Sequence, residues 1–330
     1  MNNLALSPIG LLLAAAMSII NVLTDVCRKH ALEKRELFPV TFWTRVAVTA
    51  VFAIVLAVRV AGGAQVEIRG GIGNFLALLA LDVALITIVM WLYFRALQIS
   101  PLSMCIPFLA FTPVFLIPTT YVMLGQKPQP IKLLGVALIV VGSLVMHRQL
   151  FAVGWLAPVK AVIEYKGSRY MLLVAFIFSL TNPLDKKLVD MSDVYTESCA
   201  YGLGLCLSFF LLTRWQSCDF GAAARGNFRW IALAGICDAV SLLFQLASYA
   251  YLAVVITVSI KRAGIVLAVL AGWLFFRERE ITDKVIAASV MFCGVVILYL
   301  PLTLVQALVM VGATLTGMTI ALVTTRKAAA

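Results

Sequence analysis

Apolar runs of about twenty residues recur along almost the whole chain, and they constrain its fold more than any other feature. A helix of that length crosses a bilayer core and satisfies its own backbone hydrogen bonds on the way. The composition agrees, because 63% of the 330 residues are hydrophobic and only 12% are charged. We therefore predict an all-α membrane protein whose ten transmembrane helices lie roughly at 9–28, 39–60, 75–97, 101–124, 130–147, 169–188, 194–213, 228–250, 252–276 and 281–300.

The end of the first half of the chain resembles the end of the second half. "VMLGQKPQPIKLLGVALIVVGSLVM" aligns with "LFFREREITDKVIAASVMFCGVVIL", which pairs Gln126 with Glu278 and Gly142 with Gly294. Five spans are an odd number, so a second repeat of five crosses the membrane in the opposite sense, as in many secondary transporters. The predicted architecture is two inverted five-helix repeats, 1–150 and 169–300, an interfacial linker, 151–168, and a C-terminal segment, 301–330, whose apolar residues 302–323 predict an eleventh helix.

The net charge of +11 comes mainly from Lys and Arg residues in the short connections between apolar runs. This distribution fits membrane orientation better than nucleic-acid binding. The connections opposite the N-terminus are the richer in basic residues, Arg28 and Lys29 among them, which places the N-terminus outside. No metal-ligand cluster, Walker A, HExxH or GxSxG motif occurs, so we expect no cofactor, no ATP-driven step and no enzyme.

Two adjacent cations, Lys261 and Arg262, interrupt the ninth apolar run. Lys261 would lie about 13 Å into a core about 30 Å thick, where a cation facing lipid costs roughly 2.5–3.5 kcal/mol. The pair should therefore face protein or a wet cavity, on the helix face that also holds Thr257. Arg262 points about 100° away from Lys261, so both reach one point only if the backbone is locally broken. The alternative is a structural ion pair with Asp238 or Asp82.

The first, sixth and eighth spans also carry polar residues at helical spacing on one face. Such stripes on separate spans predict a central water-filled cavity, although a single Ser or Asn in a membrane helix more often bonds a neighbouring helix. Arg45, at the start of span two, either caps the cavity or lies at the interface. The candidate substrate-binding residues are Lys261, Arg262, Lys186, Thr257, Asn182, Gln245, Tyr249 and Asn21. The candidate coupling residues are Asp25, Asp82, Asp238 and Glu197.

Several stretches resemble the EamA-like ten-helix members of the drug/metabolite transporter superfamily. They are "FRALQISPLSMCIPFLAFTPVFLIPTTYVMLGQ" with "IKLLGVALIVVGSLV", "ASYAYLAVVITVSIKRAGIVLAVLAGWLFFRERE" with "IAASVMFCGVVIL", and "PVTFWTRVAV", which contains Arg45. The resemblance covers residues 1–300 and implies that spans one, three, four, six, eight and nine line the transport path. Two features depart from the family: Gln126 replaces a glutamate, and family members generally place both termini in the cytoplasm.

A narrower similarity connects the two cations of span nine with the organophosphate translocators of this superfamily. "SIKRAGIV" resembles their Lys-Arg pair, and "TNPLDKKLVD" resembles the segment that carries a lysine late in span six. By analogy, Lys261, Arg262 and either Lys186 or Lys187 would bind an anion. Arginine suits two-point contacts with phosphate or carboxylate, and lysine supplies a mobile point charge.

The sequence thus predicts a secondary transporter in the plasma membrane, the inner membrane of a bacterium, that moves a small anionic or zwitterionic organic metabolite by alternating access. Exchange or proton coupling would supply the energy. The runner-up is an amino-acid or drug exporter of the same fold, in which the Lys-Arg pair is structural. An intramembrane enzyme and a scaffold subunit are weaker alternatives. The expected partners are a small-molecule substrate, membrane lipid and a second copy in a homodimer, without nucleic acid.

Overall fold

The computed structural model describes residues 7–32, 35–100, 106–126, 130–145, 166–221, 227–264 and 302–329, with isolated positions between 267 and 297. Every regular element within these ranges is helical. The helices are α1 (Pro8–Leu32), α2 (Leu37–Ala61), α3 (Ile72–Ile99), a 3-10 helix (Ile106–Phe111), α4 (Thr112–Leu124), α5 (Pro130–Val145), α6 (Lys166–Met191), α7 (Val194–Trp215), α8 (Phe228–Ser248), α9 (Val254–Ala263) and α10 (Leu304–Ala329).

Five of these helices, α1, α2, α3, α7 and α8, are long and apolar enough to cross a membrane. Their outer faces expose large hydrophobic side chains, such as Leu12, Val58 and Leu207. A soluble protein would bury such surface, whereas lipid chains solvate it without cost. The chain is therefore a multi-pass integral membrane protein.

The described residues hold a helix at each of the first nine predicted spans. The fourth predicted span begins as a 3-10 helix and becomes an α-helix only at Thr112, where Pro113 occupies the first turn and needs no backbone partner. The predicted eleventh helix is present as α10. The linker from 151 to 165 and most of the tenth span, 281–300, lie outside the described residues.

One compact unit contains residues 1–98 and 180–254. Within it α1 packs against α8, and α2 packs against both α7 and α8. Gly235 on α8 allows the closest of these approaches, because a Cβ atom there would lie 2.5 Å from the Cβ atom of Ala47 and 2.9 Å from the carbonyl oxygen of Thr44. Small residues of this kind let membrane helices pack closely without any hydrophobic drive.

The other compact unit contains residues 99–179 and 255–330. Here α5 packs against the 3-10 helix, α4 and α10. Gly294 meets α5 directly, since a Cβ atom there would lie 2.6 Å from the carbonyl oxygen of Gly135. A small apolar core in this unit joins α5, the isolated positions near 290 and α10 through Leu138, Val290, Ile297 and Ala307.

Candidate functional site

Two arginines and two aspartates form a buried ion-pair cluster in the first unit, which we call the arginine–carboxylate cluster: Asp25, Arg28, Arg45 and Asp238. The Nη2 atom of Arg28 lies 2.7 Å from Oδ2 of Asp238, and its Nη1 atom lies 3.5 Å from Oδ1 of Asp25. Arg45 pairs with the same oxygen of Asp238. The cluster therefore ties α1, α2 and α8 together with charges that balance one another.

This cluster corrects one expectation from the sequence. Arg28 does not lie in a connection between spans; it is a buried residue inside α1, and Asp25 and Asp238 neutralise its charge. Arg45, for which the sequence left open a cavity cap or a position at the interface, is 2% exposed and lies two turns into α2. Tyr93 of α3 supports the cluster, because its hydroxyl donates a hydrogen bond of 2.8 Å to Oδ1 of Asp25. Asn21 reaches Oδ2 of the same aspartate at 3.5 Å.

A second group, the amide–phenol cluster, consists of Asn182 on α6, Gln245 on α8 and Tyr249 just after α8. Nε2 of Gln245 donates to Oδ1 of Asn182 at 3.1 Å and to the hydroxyl oxygen of Tyr249 at 2.8 Å. The Tyr249 hydroxyl donates to the same Asn182 oxygen at 3.0 Å. All three side chains are buried. The structure therefore brings together three of the residues that the sequence proposed for substrate binding.

Three acidic side chains from three helices form a third group, the carboxyl trio: Asp82 on α3, Asp185 on α6 and Glu197 in the first turn of α7. Asp82 is 0% exposed and Glu197 is 1% exposed. Within the described residues, neither oxygen of Asp82 has a hydrogen-bond partner, and neither does Oε2 of Glu197. The three carboxyl groups are near enough to influence one another electrostatically. Two of the four candidate coupling residues thus lie together with an aspartate that the sequence analysis did not select.

The Lys-Arg pair belongs to α9 and to the second unit. Arg262 is buried, and its guanidinium carbon lies 5.2 Å from the ring centre of Phe178, a cation–π contact. Lys261 is half-buried, and Thr257, one turn earlier, is fully buried. The helix ends at Ala263, and the N–H group of Gly264 bonds the carbonyl of Lys261 at 3.2 Å. The backbone therefore turns directly after the pair.

Lys186 is held by its own helix. Its Nζ atom lies 2.6 Å from Oδ1 of Asp190, one turn later on α6, and Asp190 is exposed. Two serines from the polar stripes take local roles: the hydroxyl of Ser241 donates to the carbonyl of Met17 on α1, and that of Ser179 donates to Phe176 on its own helix. These serines bond neighbouring backbone, as single polar residues in membrane helices commonly do.

Sequence reasoning missed two residues of these clusters. Arg28 follows Asp25 by three residues and Asp185 follows Asn182 by three, so each lies on the same helix face as a residue that was selected. That spacing was the available signal. Among the described residues, no group of His, Cys, Asp or Glu is arranged to hold a metal ion.

Comparison with known proteins indicates which family the first part of the chain resembles. Residues 8–148 match the EamA-like transporter family. No curated protein matches the sequence. A solved structure titled "Crystal structure of protein" is similar with a TM-score of 0.64 and 15% identity, over 87% of this chain and 95% of that one. At that identity the likeness shows a shared fold alone.

Proposed function

We propose that the protein is a secondary transporter of the EamA-like type, located in the plasma membrane, that moves a small anionic or zwitterionic organic metabolite by alternating access. The observation that carries this proposal is the EamA-like match over residues 8–148. The fold likeness over 87% of the chain extends the argument beyond that range. Buried ionisable groups inside apolar helices support it further, because such groups are costly in a membrane and mark pathways for substrates or protons.

The division into compact units supports two inverted repeats of five spans each. The first unit, 1–98 and 180–254, takes spans one to three of the first predicted repeat and, apart from the first part of α6, the equivalent spans of the second. The second unit takes the last two predicted spans of each repeat, together with the first part of α6 and with α10. Equivalent spans thus fall into the same unit, as a repeat relation between the halves requires. Alternating access in such transporters moves one bundle against another around a central site.

The proposed substrate class rests on the cations of α9. Arg262 is buried with its guanidinium over an aromatic ring, which fixes its orientation. Lys261 and Arg262 both lie within α9, so the long side chain of Lys261, rather than a break in the backbone, would have to bring the two charges to one anion. An anion bound there would meet one two-point donor and one mobile charge.

Within the first unit, the amide–phenol cluster presents amides and a phenol that bond one another in this structure and would exchange those bonds for bonds to a ligand. Thr257 and Asn21 stay predicted substrate-binding residues. Lys186 would bind a ligand only by leaving Asp190, and that pair is half-exposed and weak enough to open. Homodimer formation stays a prediction.

A thermal-shift screen of the purified protein against phosphorylated sugars, carboxylates, amino acids and cationic drugs tests the proposal. Ligands that bind the folded state raise its apparent stability. We expect an anionic or zwitterionic compound to raise the melting temperature, and Lys261→Ala and Arg262→Ala to abolish that shift. The matched control is Arg214→Ala, which removes an exposed arginine from the last turn of α7 and should keep the shift.

The runner-up predicts a different pattern from the same screen. If cationic drugs or neutral amino acids stabilise the protein, and folded Lys261→Ala responds to them as the parent does, the Lys-Arg pair is structural. The proposed anion site is then wrong, while a transporter of the same fold remains.

A further inference from the structure

Both arginines of the arginine–carboxylate cluster contact a single carboxylate oxygen. The Nη2 atom of Arg28 lies 2.7 Å from Oδ2 of Asp238, and the Nη2 atom of Arg45 pairs with the same oxygen. In a guanidinium group, Nη2 and Nε lie along one edge, and this edge can bind both oxygens of a carboxylate in a two-point contact. Through its Oδ2 atom, Asp238 binds only one of the two donor atoms on this edge of each arginine.

The second donor atom on that edge lacks an acceptor in both arginines. Within the described residues, the Nε atoms of Arg28 and Arg45 are buried and make no hydrogen bond. The ring centre of Phe94 lies 5.5 Å from the guanidinium carbon of Arg28, so the donors of this group are directed around its rim. A buried donor without an acceptor loses its hydration and gains no bond in exchange. Two donors of the cluster therefore lack the partner that their burial requires.

Thr49 adds a third donor of this kind, one turn after Arg45 on the same face of α2. The other threonines of this helix, Thr41 and Thr44, each donate to the carbonyl four residues earlier at 2.8 Å. Such local bonds are usual for threonine in a helix. The buried hydroxyl of Thr49 makes none within the described part of the chain. Gly202 on α7 lies opposite, where a Cβ atom would come within 3.0 Å of this hydroxyl, and no side chain covers it from that position.

A carboxylate matches these three donors. Arginine donates only, so the missing partner must be an acceptor, which excludes an ammonium group and a metal cation. A carboxylate has two oxygens with about four acceptor sites, and it fits the edge of arginine in a two-point contact. With a second carboxylate in the cluster, Asp238 would bind the edge of Arg28. The ligand would bind the edge of Arg45 and accept a hydrogen bond from Thr49, and no covalent bond changes.

The most accessible member of the cluster is Asp238. Its side chain is 16% exposed, whereas those of Arg28 and Arg45 are 7% and 2% exposed. A ligand would therefore approach beside Asp238 and take the place on Arg45 that Asp238 holds in this structure. This exchange replaces one carboxylate with another on the same guanidinium group, so Arg45 stays paired throughout.

We propose that Arg45 and Thr49 form a carboxylate-binding site in the first unit, in addition to the Lys-Arg pair of α9, and that Arg28 positions Asp238 beside it. That the bound carboxylate belongs to the transported metabolite rests on the proposed function, whereas the binding itself does not. The site narrows the proposed substrate class to metabolites that carry a carboxylate group, which are organic acids and amino acids.

Nuclear magnetic resonance of the full chain in lipid tests the binding without transport. The protein is labelled with ¹⁵N-arginine, and the Nε signals of Arg28 and Arg45 are assigned from their absence in Arg28→Lys and Arg45→Lys. The probe is sodium acetate, with sodium chloride at equal ionic strength as the control. We expect acetate to shift both Nε signals in a saturable way, because each Nε gains an acceptor, and chloride to leave them in place.

Thr49→Val is the sharpest variant, because it removes the hydroxyl and keeps the shape of the side chain. Since that hydroxyl has no partner in this structure, the melting temperature should not fall. The acetate concentration at half saturation should rise about tenfold, as expected for the loss of a hydrogen bond to a charged group. The matched control is Thr41→Val, which changes a buried threonine on the same face of α2 whose hydroxyl already bonds the backbone, and it should keep the affinity.

Three results would overturn the site. Nε signals that stay in place at every acetate concentration would leave the donors to water. Equal shifts with chloride or inorganic phosphate would contradict the carboxylate class. Acetate binding in Thr49→Val as tight as in the parent would remove Thr49 from the site. If a lysine variant does not fold, the saturable shift among the arginine Nε signals and its weakening in Thr49→Val still decide the question.

The role in transport is tested separately, by exchange of the ligands found in the thermal-shift screen across proteoliposomes. We expect Thr49→Val to raise the half-saturating concentration of a carboxylate ligand about tenfold and Thr41→Val to leave it unchanged. Equal exchange in Thr49→Val and the parent, or a screen that yields no carboxylate, would contradict the role of the site in substrate binding. Absence of exchange in the parent for every ligand would contradict the proposed function itself, and the acetate result would stand.

Discussion

The arginine–carboxylate cluster and the carboxyl trio lie in the same unit, use the same acidic residue types and are similarly buried, yet their neighbours differ. In the first, Arg28 and Arg45 bind the oxygens of Asp238. In the second, neither oxygen of Asp82 has a hydrogen-bond partner within the described residues, and neither does Oε2 of Glu197. A buried carboxylate matched by arginine joins helices. The neighbours rather than the burial therefore distinguish the two groups.

The largest effect should come from removing a charge from the matched cluster. Asp238→Asn leaves the buried guanidinium of Arg45 without its carboxylate and removes one of two partners from Arg28. Breaking a buried ion pair by removing one partner costs about 3–5 kcal/mol. We expect a loss of that size in the free energy of unfolding, measured by denaturant titration in detergent.

The same substitution in the carboxyl trio provides the contrast. Asp82→Asn changes a carboxyl group whose oxygens have no hydrogen-bond partner within the described residues, so the free energy of unfolding should change by less than about 1 kcal/mol. If Asp82→Asn and Asp238→Asn lower the free energy of unfolding by the same amount, the proposed difference between the two clusters is wrong. Asp190→Asn, in an exposed pair on α6, gives the surface baseline.

A smaller loss should follow from Tyr93→Phe. The hydroxyl of Tyr93 donates to Oδ1 of Asp25 at 2.8 Å and so joins α3 to the arginine–carboxylate cluster, which α3 also meets through the ring of Phe94 over Arg28. Hydrogen bonds to charged groups contribute about 1.5–3 kcal/mol. We expect a decrease of that size in the free energy of unfolding. Tyr121→Phe, on an exposed tyrosine of α4, should change stability very little; a decrease as large there would show a general effect of losing a phenol.

Gly235→Ala should disturb the matched cluster and leave the trio intact. A Cβ atom on Gly235 would lie 2.5 Å from the Cβ atom of Ala47, so α2 and α8 must separate, and these helices carry Arg45 and Asp238. Overpacking of this kind costs about 1–3 kcal/mol. The free energy of unfolding, measured by denaturant titration in detergent, should fall by that amount.

Gly312→Ala supplies the matched control for that substitution. Gly312 is on α10, and a Cβ atom there would meet nothing within 4 Å. Alanine also favours a helix over glycine. Its stability should therefore stay level or rise slightly, and a loss equal to that of Gly235→Ala would contradict the close-approach argument.

The positions of the helices could be predicted from the sequence because a bilayer imposes one simple requirement, an apolar length. That requirement located α1, α2, α3, α7 and α8 to within a few residues of their observed ends. It could not foresee the 3-10 start of the fourth span, since Pro107 and Pro113 act on backbone geometry and leave the hydropathy unchanged.

The candidate site was harder to predict, because helix partners are set in three dimensions. Arg28 lies near the end of a span, so its sequence position suggests a connection residue. Its partner Asp238 lies far away in the sequence, and only the structure shows that the two form a pair. Asp185 directly precedes Lys186 and Lys187. The resemblance to the organophosphate translocators pointed to one of these lysines and not to the aspartate. Asn182, Gln245 and Tyr249 lie on the polar stripes of their helices and bond one another in the structure, while their part in substrate binding stays a prediction.

The smallest change in stability should come from Asp193→Asn. Asparagine also caps helices well, so α7 should lose only about 0.5 kcal/mol or less, whereas Asp193→Ala should lose about 1 kcal/mol. Denaturant titration in detergent measures both losses. If the two variants lose the same amount, the side-chain cap at Asp193 does not stabilise α7, and the prediction is wrong.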